Sequence, residues 1–120
     1  MKIRTLKHMC KRIKNAFLYS IAGAKAMYKS EIAFRQEMLL LVIGLIVLWF
    51  VNVSDVQKSL LFMTLLFIPI AETVNTAIEV IINRISTQKH PLSEMAKDLG
   101  SFLVLLSVIM FVGVWSIILL

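Results

Sequence analysis

The chain has 120 residues, 59% of them hydrophobic and 17% charged, with a formal net charge of +6. Soluble domains are about 45–50% apolar, so this balance excludes an ordinary soluble domain and indicates one small membrane domain. The positive charge does not argue for nucleic acid, because no binding module is recognisable and the basic residues gather between Lys2 and Lys29, where they face anionic lipid headgroups and set orientation.

From the N-terminus to about Ser30 the chain is too polar to span a membrane. Leu6, Met9, Cys10, Ile13, Phe17 and Ile21 recur at three- and four-residue steps with Lys and Arg between them. This pattern predicts an amphipathic surface helix over about residues 5–29, lying at the membrane interface, with Gly23 a point of weakness. The basic start is not followed by an apolar core and a small-residue cleavage site, so no cleavable signal peptide is expected. Cys10 is the single cysteine and reads as a reduced thiol in no disulfide. His8 reads as a surface residue.

Ser30 is the candidate N-cap of the next helix. Its third following residue is Ala33, so no capping box supports it. A polar collar, Glu31–Glu37, leads into the apolar run Met38–Val53, and the first span is placed at about 31–52. A short turn over Asn52–Lys58 precedes a second span at about 56–85, with a kink expected at Pro69. Pro91 reads as a break in the second loop, and Ser93 as the cap of a third span at about 94–120. Trp49 and Trp115 are placed at the far interface. The basic excess puts the N-terminal helix and the second loop on the cytoplasmic side.

Within the second span, Glu72, Asn75 and Glu79 stand three and four residues apart. On a helix they share one face, with Glu72 about 10 Å deeper than Glu79. A charged carboxylate near the centre of a membrane helix costs about 2.5–3.5 kcal/mol or more, so two of them need a reason. Three readings stand on residue types alone. Interhelical glue would suit one Asn better than two additional glutamates. A proton-coupled carrier would exchange a proton for a small cation at such a carboxylate. Interfacial catalysis would use Glu31 and Glu79 to hold a divalent ion and Glu72 as a base reaching a lipid headgroup. No phosphate-loop signature G-x-x-x-x-G-K-[ST] is present. His90 and Lys97-Asp98 lie near a helix start, where phosphate contacts and a solvated loop are equally compatible with the spacing.

Three blocks carry a family resemblance: E-I-A-F-R-Q-E at 31–37, E-T-V-N-T-A-I-E at 72–79, and H-P-L-S-E-M-A-K-D-L-G-S at 90–101. In order, spacing and three-span layout the chain resembles the small prokaryotic integral-membrane diacylglycerol kinases over essentially its whole length. The resemblance implies an all-α membrane homotrimer of the bacterial inner membrane, and because three short spans can hardly enclose ATP and a lipid by themselves, active sites shared between neighbouring subunits are expected. The implied reaction transfers the γ-phosphate of Mg-ATP to the hydroxyl of diacylglycerol, giving phosphatidate. An undecaprenol kinase of the same superfamily is the alternative, and the A-F-R-Q-E block favours diacylglycerol.

By motif, Glu72 resembles the general base and Glu31 and Glu79 the ligands of the ATP-bound Mg²⁺, with Asn75 positioning the phosphates or the base. Arg12, Tyr19 and Ser20 match the nucleotide-facing surface helix. Gln88, His90, Lys97 and Asp98 match the nucleotide-binding loop and helix start. Ala33, Phe34, Arg35, Gln36, Glu37 and Ser101 match lipid-contacting positions, to which Glu72 also belongs. Asn83 departs from the pattern, since related kinases often carry Asp there.

Overall fold

The computed structural model describes residues 2–120, and all its regular elements are helices: α1 (Lys2–Ser30), α2 (Ile32–Phe50), α3 (Asp55–Ile85) and α4 (Pro91–Leu119). The last three are long and apolar enough to cross a membrane, as their runs of hydrophobic residues predict. The chain divides into two compact units, one ending at Arg35 and one comprising Gln36–Leu120.

In the first unit, α1 runs without interruption through Gly23, whose open side meets nothing within 4 Å. Nearly all of α1 is exposed, and Met27 is its buried residue. Ser30 is not the N-cap of α2. It is the last residue of α1, and its hydroxyl donates back to the Ala26 carbonyl at 2.8 Å, a local bond that serine hydroxyls readily make within a helix. The joint is Glu31, which carries both hydrogen-bond ladders: its N–H donates to Met27 O and its carbonyl accepts from the Arg35 N–H.

In the second unit, α3 is the central element and α4 packs along it. Its start is fixed by a capping box that the loop reading of 52–58 overlooked. Ser54 Oγ accepts from the Gln57 N–H at 3.2 Å, and Gln57 Oε1 accepts from the Ser54 N–H at 3.1 Å, so two orphan donors are satisfied reciprocally. Buried Leu61, Leu65, Ile68 and Ala71 recur on one side of α3 at the three- and four-residue steps of a helix face. Gly44 brings α2 close to α3, since a Cβ there would stand 2.5 Å from Leu65 Cδ2. Trp115, expected at the interface, turns its indole N–H inward to Leu61 O and Thr64 Oγ1, both at 3.2 Å. A buried indole donor needs such partners. The helix continues through Pro69, and Thr73 Oγ1 donates to the Pro69 carbonyl at 2.7 Å.

The start of α4 corrects the sequence reading. Pro91 is its first residue, and His90 rather than Ser93 is the cap, with Nδ1 accepting from the Leu92 N–H at 3.1 Å. Proline suits this position because its missing N–H would have no helical partner and its φ is preset. Lys97 and Asp98 therefore lie nearly two turns inside α4 rather than beside its N-terminus.

Candidate active site

Glu72, Asn75, Thr76 and Glu79 form one stripe of α3. Glu72, Asn75 and Thr76 each retain 8% of their surface, and Glu79 is half-buried. From α2, Glu37 comes close enough to Glu72 for the two carboxylates to interact electrostatically. From α4, Gly100 lies against the Asn75 amide, with its missing side chain leaving the room that Asn75 Oδ1 fills. Three oxygens here are buried without a hydrogen-bond partner: Glu37 Oε2, Asn75 Oδ1 and Thr76 Oγ1. Buried polar atoms are nearly always bonded, and leaving one unpaired costs about 1–3 kcal/mol. Glue between helices would bond these atoms. Their lack of partners within the chain makes this stripe the candidate place for a ligand.

Depth along α3 sets what such a ligand can be. A membrane core takes about 20 helical residues, and counted from Ser59, where the apolar run of α3 begins after Lys58, these end near Ile78. Glu72 then lies nearly two turns inside the apolar layer and Glu79 at its edge. That is the level where a lipid headgroup meets the aqueous phase.

At the mouth of α3 and α4, Lys97 Nζ donates to Asn83 Oδ1 at 3.1 Å. The departure at Asn83 thus keeps a polar contact, but through a neutral partner. Gln88 is exposed in the connection between the two helices, with its N–H donating to Ser86 Oγ at 3.1 Å. His90 is exposed and serves as the cap, so Nδ1 is engaged while Nε2 stays available. Asp98 and Ser101 are exposed on α4.

The first unit carries the remaining positions. An open groove of about 460 Å³ on α1 is lined by His8, Lys11, Arg12, Asn15, Ala16 and Tyr19. Ser20 stands apart from this lining and gives its hydroxyl to Ala16 O at 2.9 Å. Glu31 is half-buried, Phe34 is buried, and Ala33 and Arg35 are exposed. Gln36 and Glu37 belong to the second unit, exposed and half-buried respectively. Among the described residues no group of three or more His, Cys, Asp or Glu side chains is gathered for a metal. The spacing that singled out Glu72, Asn75 and Glu79 also contains Thr76, at four residues from Glu72. Gly100 and the facing of Glu37 to Glu72 have no such signal, because they depend on which helices meet.

Residues 18–119 match the family described as prokaryotic diacylglycerol kinase. The chain belongs to that family. A diacylglycerol kinase from Pseudomonas aeruginosa is 40% identical over 92% of this chain and 89% of its own. One from Escherichia coli is 36% identical over 90% of this chain and 88% of its own, and one from Haemophilus influenzae 34% over 85% and 86%. Membership in the diacylglycerol kinase family makes the chain a bacterial membrane enzyme and removes the proton-coupled carrier as a reading of its intramembrane acids.

Proposed function

We propose that this chain, a lipid kinase of that family, transfers the γ-phosphate of ATP to the free hydroxyl of diacylglycerol at the cytoplasmic face of the membrane. What supports the reading is the buried stripe of α3, with Glu72 well within the apolar run and beside the unpartnered oxygens of Asn75 and Thr76. A base at that depth meets the glycerol hydroxyl of a lipid without drawing it out of the membrane. Glu72 takes the hydroxyl proton as the lipid oxygen bonds to the γ-phosphorus. The bond from that phosphorus to the β–γ bridging oxygen breaks, and ADP departs. Asn75 positions the phosphates or the base, since phosphoryl transfer depends on placement more than on covalent chemistry.

The donor set fits Mg²⁺, which takes hard oxygen ligands and is held by one or two carboxylates plus substrate phosphates. Glu79 and Glu31, each a half-buried carboxylate, are the residues that the family resemblance assigns to it. When bound, the ion neutralises part of the triphosphate charge. Arg12, Tyr19 and Ser20 on α1 are assigned to the nucleotide by the family resemblance, as are Gln88, His90, Lys97 and Asp98. Ala33 to Glu37 and Ser101 are assigned to the lipid by the family resemblance. The basic N-terminal region supports a cytoplasmic position for α1.

The test is phosphate transfer from γ-labelled ATP to diacylglycerol in mixed micelles, with undecaprenol offered in parallel. Labelled phosphatidate, with little label on undecaprenol, is the expected result. Glu72→Gln is expected to lower kcat by about 10²–10⁴-fold, the range for loss of a general base, while KM for Mg-ATP stays near its original value. Near-normal turnover of Glu72→Gln removes it as the base, and preferential labelling of undecaprenol changes the acceptor.

A further inference from the structure

We propose that Gly100 is a positioning residue that seats the Asn75 side-chain amide for phosphoryl transfer, a role that rests on the lipid-kinase reading above. The chain has four glycines, and none of them has a positive φ, so backbone conformation does not explain any of them. Glycine is a poor choice inside a helix, and α4 carries Gly100 well within its length. At Gly23 and Gly113 an added Cβ would meet nothing within 4 Å, and at Gly44 the nearest atoms it would meet belong to the apolar side chain of Leu65. At Gly100 alone among these positions the conflict is with a polar side chain of the candidate active site.

The geometry of that conflict is selective. A Cβ at position 100 would occupy the place of Asn75 Oδ1 and stand 3.2 Å from Asn75 Cγ, yet lie 3.5 Å from Asn75 Cα. The last distance is ordinary van der Waals contact. Alanine there would evict the amide without forcing α3 and α4 apart. Asn75 Oδ1 makes no hydrogen bond within the chain, so packing against the bare Cα of Gly100 holds the oxygen in place. The terminal torsion of asparagine is broad and intrinsically loose. Gly100 removes that freedom one helical turn from Glu72, where a misplacement of about 1 Å is worth up to about 10²-fold in rate.

A double-mutant cycle on the full-length protein in mixed micelles tests this. Gly100→Ala is expected to lower kcat by about 10- to 100-fold while KM for diacylglycerol changes by less than about twofold. In an Asn75→Ala background, where the space is free, Gly100→Ala is expected to change kcat by less than about twofold, because the two residues act as one unit. In protein labelled with ¹⁵N-asparagine, the carboxamide signal identified as Asn75 by its loss in Asn75→Ala should shift in Gly100→Ala. Normal kcat in Gly100→Ala, or equal losses in both backgrounds, overturns the proposal. If the single variant does not fold, Asn75→Ala/Gly100→Ala must fold and match Asn75→Ala, and its failure to do so also overturns the proposal. Full activity in Asn75→Ala alone is a separate outcome: it defeats the role of Asn75 in the lipid-kinase reading and takes the role of Gly100 with it.

Discussion

Lys97 is held by Asn83 through a hydrogen bond at 3.1 Å, and the identity of that partner decides how much of the lysine's charge faces an incoming triphosphate. An amide orients the ammonium without cancelling it. A carboxylate would do both, because it adds an opposite charge at contact distance. Asn83 is exposed and Lys97 half-buried, so solvent screens the pair but does not erase it. Asn83→Asp is therefore expected to raise KM for Mg-ATP by roughly twofold to fivefold at low ionic strength, with kcat retained, and to lose most of this effect near 1 M salt, where the Debye length falls to about 3 Å. Steady-state kinetics across a salt series measures it. An unchanged KM at low salt would mean that Lys97 does not meet the phosphates.

At the scale of elements, three helices long and apolar enough to cross a membrane follow from length and hydropathy, while their starts depend on local chemistry that composition does not display. The span boundaries near 85 and 119 follow from where the apolar runs end. The start of α4 does not, because Pro91 signals either a break or a first helical residue, and the distinction rests on whether His90 turns its ring back to the Leu92 N–H. The Glu72, Asn75 and Glu79 stripe is legible in the sequence since it lies on one helix. Glu37 facing Glu72, and Gly100 facing Asn75, are not, since each needs two helices in register. His90 now carries two assignments, cap and nucleotide contact, and they separate by substitution. Asparagine preserves capping, whereas alanine loses a cap worth about 0.5–2 kcal/mol. His90→Asn is expected to keep the melting temperature and raise KM for Mg-ATP by about threefold to tenfold, the loss of one phosphate hydrogen bond. His90→Ala is expected to lower both stability and nucleotide affinity. Full ATP affinity in His90→Asn would leave His90 as a cap alone.

At the scale of the molecule, the question is what covers the remaining apolar surface and completes the site. In their most apolar stretches α4 is 6% and α2 17% buried, against 44% for α3. Lipid satisfies such faces, but lipid cannot supply nucleotide contacts. Three spans offer one candidate stripe of functional side chains, and we propose that a neighbouring subunit offers the missing wall. Glu72 and Glu79 share α3, so one subunit contributes both. Glu31 belongs to the other compact unit and is the carboxylate that a neighbour can provide. The prediction is complementation between Glu31→Gln and Glu72→Gln, each inactive alone. In a ring with sites between adjacent subunits, a site works only where one neighbour keeps Glu31 and the other keeps Glu72. Random assembly of equal amounts makes about one site in four competent. Activity after co-refolding should therefore rise from near zero at either end of the mixing series to about a quarter of the unmodified enzyme's at the midpoint. A flat series at zero, with mixed assemblies verified by affinity tags on one variant, would place each complete site within a single chain and leave the exposed faces of α2 and α4 to lipid alone.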